Sequence, residues 1–166
     1  MSSPPASASE PVELPLRQLL AGGASLPIFV ESESMSPLLR TGDMLTLHAI
    51  SVDDLRVGDI ITLEQDEYLL THRFYGVRDG LLQTRGDRNL AMDGLQPPSR
   101  LLGKIVARER NGRLLPLDHG WRGRHAAWLA RAEWRLLAGR HDHIPPTLPA
   151  RITHRLVYLW GVVIGN

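Results

Sequence analysis

Residues 59–85, DIITLEQDEYLLTHRFYGVRDGLLQTR, decide the fold class. Asp59–Glu64, Glu67–Phe74 and Leu81–Thr84 are short runs rich in Ile, Leu and Thr, and Gly, Asp and Pro bound such runs along the chain. Runs of this length and composition read as β-strands, because branched and aromatic side chains suit a pleated, half-buried surface. On the N-terminal side, Leu26–Glu31 and Asp43–His48 have the same character. On the C-terminal side, Lys104–Arg110 and Arg113–Leu117 enclose Asn111-Gly112, a dipeptide suited to the two positive-φ positions of a tight hairpin. The chain is therefore expected to be mainly β, with mostly antiparallel pairing. One short helix is expected over Glu13–Leu20, where Leu14, Leu16, Leu19 and Leu20 are apolar and Gly22-Gly23 stop it.

The ends of the chain differ from this centre. Residues 1–12 are small, polar and Pro-rich, which predicts a disordered tail. They have neither the basic region nor the apolar stretch of a signal peptide. The β-domain is expected over 13–118, followed by a basic helical extension over 119–166. Trp121–Arg140, WRGRHAAWLARAEWRLLAGR, combines three tryptophans with five arginines, and its alanines favour helix. A second helix is expected over Ala150–Ile164, with Ile152, Leu156, Leu159, Trp160 and Val163 near helical spacing. Between 121 and 155 seven arginines face only Glu133 and Asp142. A basic, Trp-bearing amphipathic helix fits an anionic membrane surface. The competing reading is a helical hairpin packed on the β-domain with its arginines in water.

Whole-chain properties narrow the function. A length of 166 residues with 43% hydrophobic content supports one cored domain with an appendage. The formal net charge of +1 gives no general attraction to nucleic acid. Without cysteine there are no disulfides and no thiolate metal sites. His141-Asp142-His143 lacks a third ligand at fixed spacing and reads as a solvated linker. No stretch approaches the ~18–20 apolar residues needed to cross a bilayer, so a cytoplasmic protein is expected, with 121–140 as its one candidate for peripheral membrane contact.

The residues that carry chemistry lie in separate short segments. They are Ser34-Met35-Ser36-Pro37 with Gly42-Asp43 after it, His72-Arg73 at the end of an apolar run, Gly86-Asp87-Arg88-Asn89, and Asp93. A serine hydroxyl needs a neighbouring base to become a nucleophile. Histidine, with an unperturbed pKa of about 6.5, suits that task near neutrality. A carboxylate on the other ring nitrogen fixes the tautomer and steadies the imidazolium. The order Ser…His…Asp is neither that of chymotrypsin nor that of subtilisin.

Taken together, "ESMSPLLRTGD", "LLTHRF" and "LLQTRGDRNLAMD" resemble the superfamily of type I signal peptidases and LexA-like self-cleaving peptidases. The resemblance runs from about Leu26 to Val106 and includes a second Gly-Asp, Gly58-Asp59. It implies a LexA/signal-peptidase-like coiled antiparallel β-domain and acyl-enzyme cleavage of a peptide or protein substrate, with no cofactor or metal. By the same resemblance Ser34 is the nucleophile, His72 the base and Asp93 the third member. Asp87 supports the loop and bonds Arg73 or backbone, and Ser32 is a second donor to an oxyanion beside the Ser34 N–H. The branch implied is the histidine-base one. Of 19 Lys plus Arg, 18 are Arg, and the single lysine, Lys104, sits in an expected later strand. The family's glycine before the nucleophile is missing from Glu31-Ser32-Glu33-Ser34, and the two carboxylates would narrow the cleft or disfavour acidic peptides. Two other functions stay open: an inactive peptide-binding module on the same fold, and a LexA-like regulator that cuts itself, for which Ala21-Gly22 is a candidate bond.

Overall fold

Seven strands form one antiparallel sheet in a computed structural model that describes residues 16–89 and 91–118 together with Ile152, Arg155, Leu156, Leu159, Val162 and Val163. The strands are β1 (Leu26–Phe29), β2 (Met44–His48), β3 (Ile60–Glu64), β4 (Leu69–Arg78), β5 (Leu81–Arg85), β6 (Leu101–Arg110) and β7 (Arg113–Pro116). Their order across the sheet is β1-β2-β6-β3-β4-β5, with β7 also on β6. A short helix, α1 (Leu16–Ala21), precedes them. It lies against β6, with Leu20 buried and Arg17 donating to the Leu101 carbonyl at 3.1 Å.

The centre of the sheet is buried on both faces. Consecutive side chains on a strand point to opposite sides. Ile60 joins a cluster with Ile28, Met35, Leu39, Leu45, Leu47 and Ile105. Its neighbour Ile61 joins a second cluster with Leu63, Phe74, Leu82 and Leu101. Register carries the same division into β4. Arg73 pairs with Ile60 and His72 with Ile61, so these adjacent residues serve opposite sides of one strand.

β6 holds the sheet together. One edge pairs with β2 and the other with β3 and then β7. The β3 pairing shifts register at Leu102, beside Gly103, and the β2 pairing at Val106. A Cβ on Gly103 would overlap the His48 carbonyl, so only glycine lets β6 pass. The β6–β7 turn is formed by Asn111 and Gly112, at φ of 52° and 73°, which matches the expected hairpin.

The six described residues near the C-terminus are helical, and four of them, Ile152, Leu156, Leu159 and Val163, are exposed apolar side chains at helical spacing. The expected helix over 121–140, the tail over 1–12 and the first three residues of the helix expected from Glu13 lie outside the described residues. Among the described residues no helix is long and apolar enough to cross a membrane.

Candidate active site

The loop after β1 carries Ser34, and three anchors fix it. Its own turn closes with Ser36 N–H donating to Glu33 O and Leu39 N–H to Met35 O, both at 3.0 Å. Met35, Leu38 and Leu39 are buried beneath, and the Ser36–Pro37 peptide bond is cis. The Ser34 carbonyl accepts from Arg88 N–H at 2.9 Å, which ties the loop to the turn after β5. From β6, Arg108 Nη1 and Arg110 Nη2 donate to the Leu38 carbonyl at 2.8 and 3.2 Å.

Arg110 also grips Asp43 through two bonds of 2.6 and 2.7 Å, while Asp43 accepts Arg40 N–H at 2.8 Å. Burial alone would raise the Asp43 carboxyl. The Arg110 guanidinium and the Arg40 amide outweigh it and hold the group below the usual carboxylate range. Burial and the neighbouring Arg110 charge lower the Arg108 guanidinium from its ordinary value.

His72 on β4 reaches this loop. Its Nε2 lies 2.9 Å from Ser34 Oγ, and its Nδ1 lies 2.5 Å from Asp93 Oδ2. An ionised carboxylate only accepts, so Nδ1 carries the proton and Nε2 is left to accept from the Ser34 hydroxyl. His72 is buried, and the Asp93 side chain is 16% exposed. Thr84 on β5 donates its hydroxyl to the same Asp93 oxygen at 2.7 Å, and Asp93 N–H returns a bond to the Thr84 carbonyl at 2.9 Å. Sequence reasoning missed Thr84. The available signal was its alternation with Leu82, which puts a hydroxyl on a buried face where it needs a partner.

Asp87 stands elsewhere. Its carboxylate takes two parallel bonds from Arg73, Nε–Oδ1 at 2.7 Å and Nη2–Oδ2 at 2.5 Å, and both side chains are buried. Arg73 Nη1 continues to the Gly58 carbonyl at 2.8 Å. This bidentate pair joins the β5 turn to the loop before β3. The structure thus brings Ser34, His72 and Asp93 into one line, puts Ser32 Oγ 3.2 Å from Ser34 Oγ, and sets Asp87 on Arg73. Lys104 is not in that line. Its Nζ lies 2.9 Å from Asp59, and β3 separates it from His72, a span of two inter-strand spacings or about 10 Å.

Gly86 closes the back of the site. A Cβ there would sit 2.7 Å from the Ser34 carbonyl oxygen, 2.9 Å from Asn89 Nδ2 and 3.0 Å from His72 Nε2. Glu33, directly before the serine, accepts Thr41 N–H at 3.1 Å. That backbone bond from Thr41 lowers the Glu33 carboxyl from its ordinary value.

A groove of about 620 Å³ ends at Ser34. One wall is the β1 strand and its continuation through Glu31 and Ser32, and the other is Glu67–Thr71 at the start of β4. Among the described residues β1 pairs only with β2, and β5 does not pair with β4 before Arg73, so both walls present unpaired strand edges. Among the described residues no three His, Asp or Glu side chains converge as metal ligands, and His141-Asp142-His143 lies outside them. Comparison of the chain with known protein families and with curated proteins finds no match.

Proposed function

We propose that the protein is a serine endopeptidase of signal-peptidase type, on a LexA/signal-peptidase-like β-domain, that cleaves a peptide or protein through an acyl-enzyme. The observation that supports this best is the hydrogen-bonded line Ser34 Oγ–His72 Nε2, His72 Nδ1–Asp93 Oδ2, at 2.9 and 2.5 Å. The groove that ends on the serine supports it further, because an extended peptide can pair with an unpaired strand edge.

In this reading the Ser34 oxygen attacks the scissile carbonyl as its proton passes to His72 Nε2. The imidazolium keeps its Nδ1 proton on Asp93, which stabilises the charge and holds the ring. The Ser34 N–H and the Ser32 hydroxyl are assigned to the oxyanion. His72 then gives its proton to the leaving amine, and water repeats the sequence on the ester. Arg73 and Asp87 hold the loops that carry these groups. A cytoplasmic location belongs to the same proposal.

The test is digestion of a proteome-derived peptide library, read by mass spectrometry, with fluorophosphonate labelling mapped in parallel. The protein should cut a defined subset of peptides and acquire label on Ser34. Ser34→Ala should lose about 10⁴-fold or more in kcat while melting at the same temperature. Unchanged cleavage by Ser34→Ala would refute the assignment, and no cleavage by either form would favour an inactive peptide-binding module.

A further inference from the structure

We infer that the groove selects peptides carrying a basic side chain, Lys or Arg, in the segment that lies along it. This rests on the peptide-groove reading above. Its charge is one-signed. Among the described residues, Glu31 on one wall and Glu67 on the other are the only charged ones that line it. Both are exposed, and neither makes an ion pair or hydrogen bond among the described residues. Four other acids of this arginine-rich chain are each paired with a cation: Asp43 with Arg110, Glu64 with Arg17, Asp87 with Arg73 and Asp59 with Lys104. Glu33, also near the serine, is occupied by the Thr41 amide.

The same two walls carry exposed aromatic rings. Phe29 is 68% and Tyr68 60% exposed, and each is within two residues of one of the free carboxylates. An aromatic face beside a carboxylate suits the long stem and cationic head of Lys or Arg, through contact with the methylenes and attraction of the charge to the ring. An acidic side chain in the groove would meet two like charges with no cation among the described lining residues to offset them. A basic one replaces water on carboxylates that have no other partner among the described residues.

The test separates binding from cleavage. Three pools of dye-labelled decapeptides, randomised over Ala, Ser, Leu and Val, carry two fixed residues: Lys, Gln or Glu. Binding to the Ser34→Ala protein is read by fluorescence anisotropy. The Lys pool should bind about tenfold more tightly than the Glu pool at low salt, with Gln between, since each exposed ion pair contributes up to roughly fivefold. The ratio should shrink towards unity at about 0.5 M salt, where the screening length falls to a few ångströms. In the Glu31→Gln/Glu67→Gln background the three pools should bind within about twofold of one another, and Glu31→Lys/Glu67→Lys should reverse the order. Circular dichroism melts check that these exposed substitutions leave the fold intact. Equal affinity of the parent protein for the Lys and Glu pools, or a Lys preference that survives the double Gln change, overturns the inference. Digesting the same pools with the unsubstituted protein distinguishes the two proposals. Cleavage without charge bias sinks the inference and keeps the peptidase. A Lys preference in binding with no cleavage of any pool keeps the inference and sinks the peptidase.

Discussion

Replacing Gly86 by alanine adds one methyl group at the tightest point of the site. The new Cβ would lie 2.7 Å from the Ser34 carbonyl oxygen, closer than real Cβ contacts allow, and 3.0 Å from His72 Nε2, which is tight. Gly86 does not have positive φ, so the backbone itself accepts alanine and the whole effect is steric. The Ser34 carbonyl cannot yield freely, because Arg88 N–H holds it at 2.9 Å. Regaining van der Waals separation needs a displacement of about 0.5–0.7 Å. Overpacking of this kind costs about 1–3 kcal/mol. At roughly 4–8 °C per kcal/mol for a domain of about 100 residues, the melting temperature should fall by about 5–20 °C. A shift of that size between Ser34 Oγ and His72 Nε2 should slow peptide cleavage by about ten- to a hundredfold. Gly94→Ala is the control, since Gly94 is not at positive φ and a Cβ there meets nothing within 4 Å. It should melt unchanged or slightly higher, as glycine replacement at a compatible site restricts the unfolded chain. Calorimetry and library digestion of the three proteins decide the matter. If Gly86→Ala melts and cleaves like Gly94→Ala, the close approach of Gly86 to Ser34 does not exist.

Three further expectations follow from the same geometry. Asp87→Asn should cost about 3 kcal/mol or more, because it leaves the buried Arg73 charge uncompensated, whereas Asp93→Asn should stay folded and lose on the order of 10⁴ in kcat through the wrong imidazole tautomer; equal melting of the two variants in thermal scans would contradict this. Since the Asp43 carboxyl is held low in the fold, its stabilisation is complete above the ordinary value of about 3.9 and is lost as pH falls through that value towards the lower folded one, so the gap in urea-unfolding free energy between the protein and Asp43→Asn should narrow in acid, and a gap that stays constant from neutral to acid pH would refute it. His72→Ala should abolish cleavage while Lys104→Ala retains it with some loss of stability from the Asp59 pair; the reverse pattern in the digest would move the base to lysine.

Strands were legible in the sequence where branched and apolar residues run between turn residues. Each of the seven observed strands overlaps an expected one. The ends were less legible. β4 runs on to Arg78 past the expected end at Phe74, because the pairing with β5 shifts register between Phe74 and Gly76 and then resumes. β6 runs from Leu101 to Arg110, the whole of the LLGKIVARER stretch that reads as a strand, whereas the need for glycine at 103, where β6 squeezes past His48, is visible only in the fold. The segments holding Ser34, His72 and Asp93 stood out by local motif, whereas Thr84, Arg108 and Arg110 did not. Their roles depend on which strands become neighbours, and one-dimensional spacing does not carry that. The Glu67 wall was invisible for the same reason: it faces β1 only after β2, β6 and β3 intervene.

The position of β6 has a consequence for how the molecule comes into being. Every group in the Ser34–His72–Asp93 line has been synthesised by residue 93, yet β2 and β3 have no main-chain pairing with each other, and both wait for β6, Leu101–Arg110. Before that strand arrives, no strand pairing joins the β1–β2 hairpin with the serine to the β3–β4–β5 meander with the histidine, and what links them is loop contacts such as Arg88 N–H to the Ser34 carbonyl. Pairings across such sequence distances form late and set folding on the millisecond-to-second scale. A nascent or truncated chain ending before β6 would therefore hold all the reactive groups and lack their alignment. Alignment of the three side chains therefore waits for the last central strand to slide between the two halves, a consequence of strand order alone.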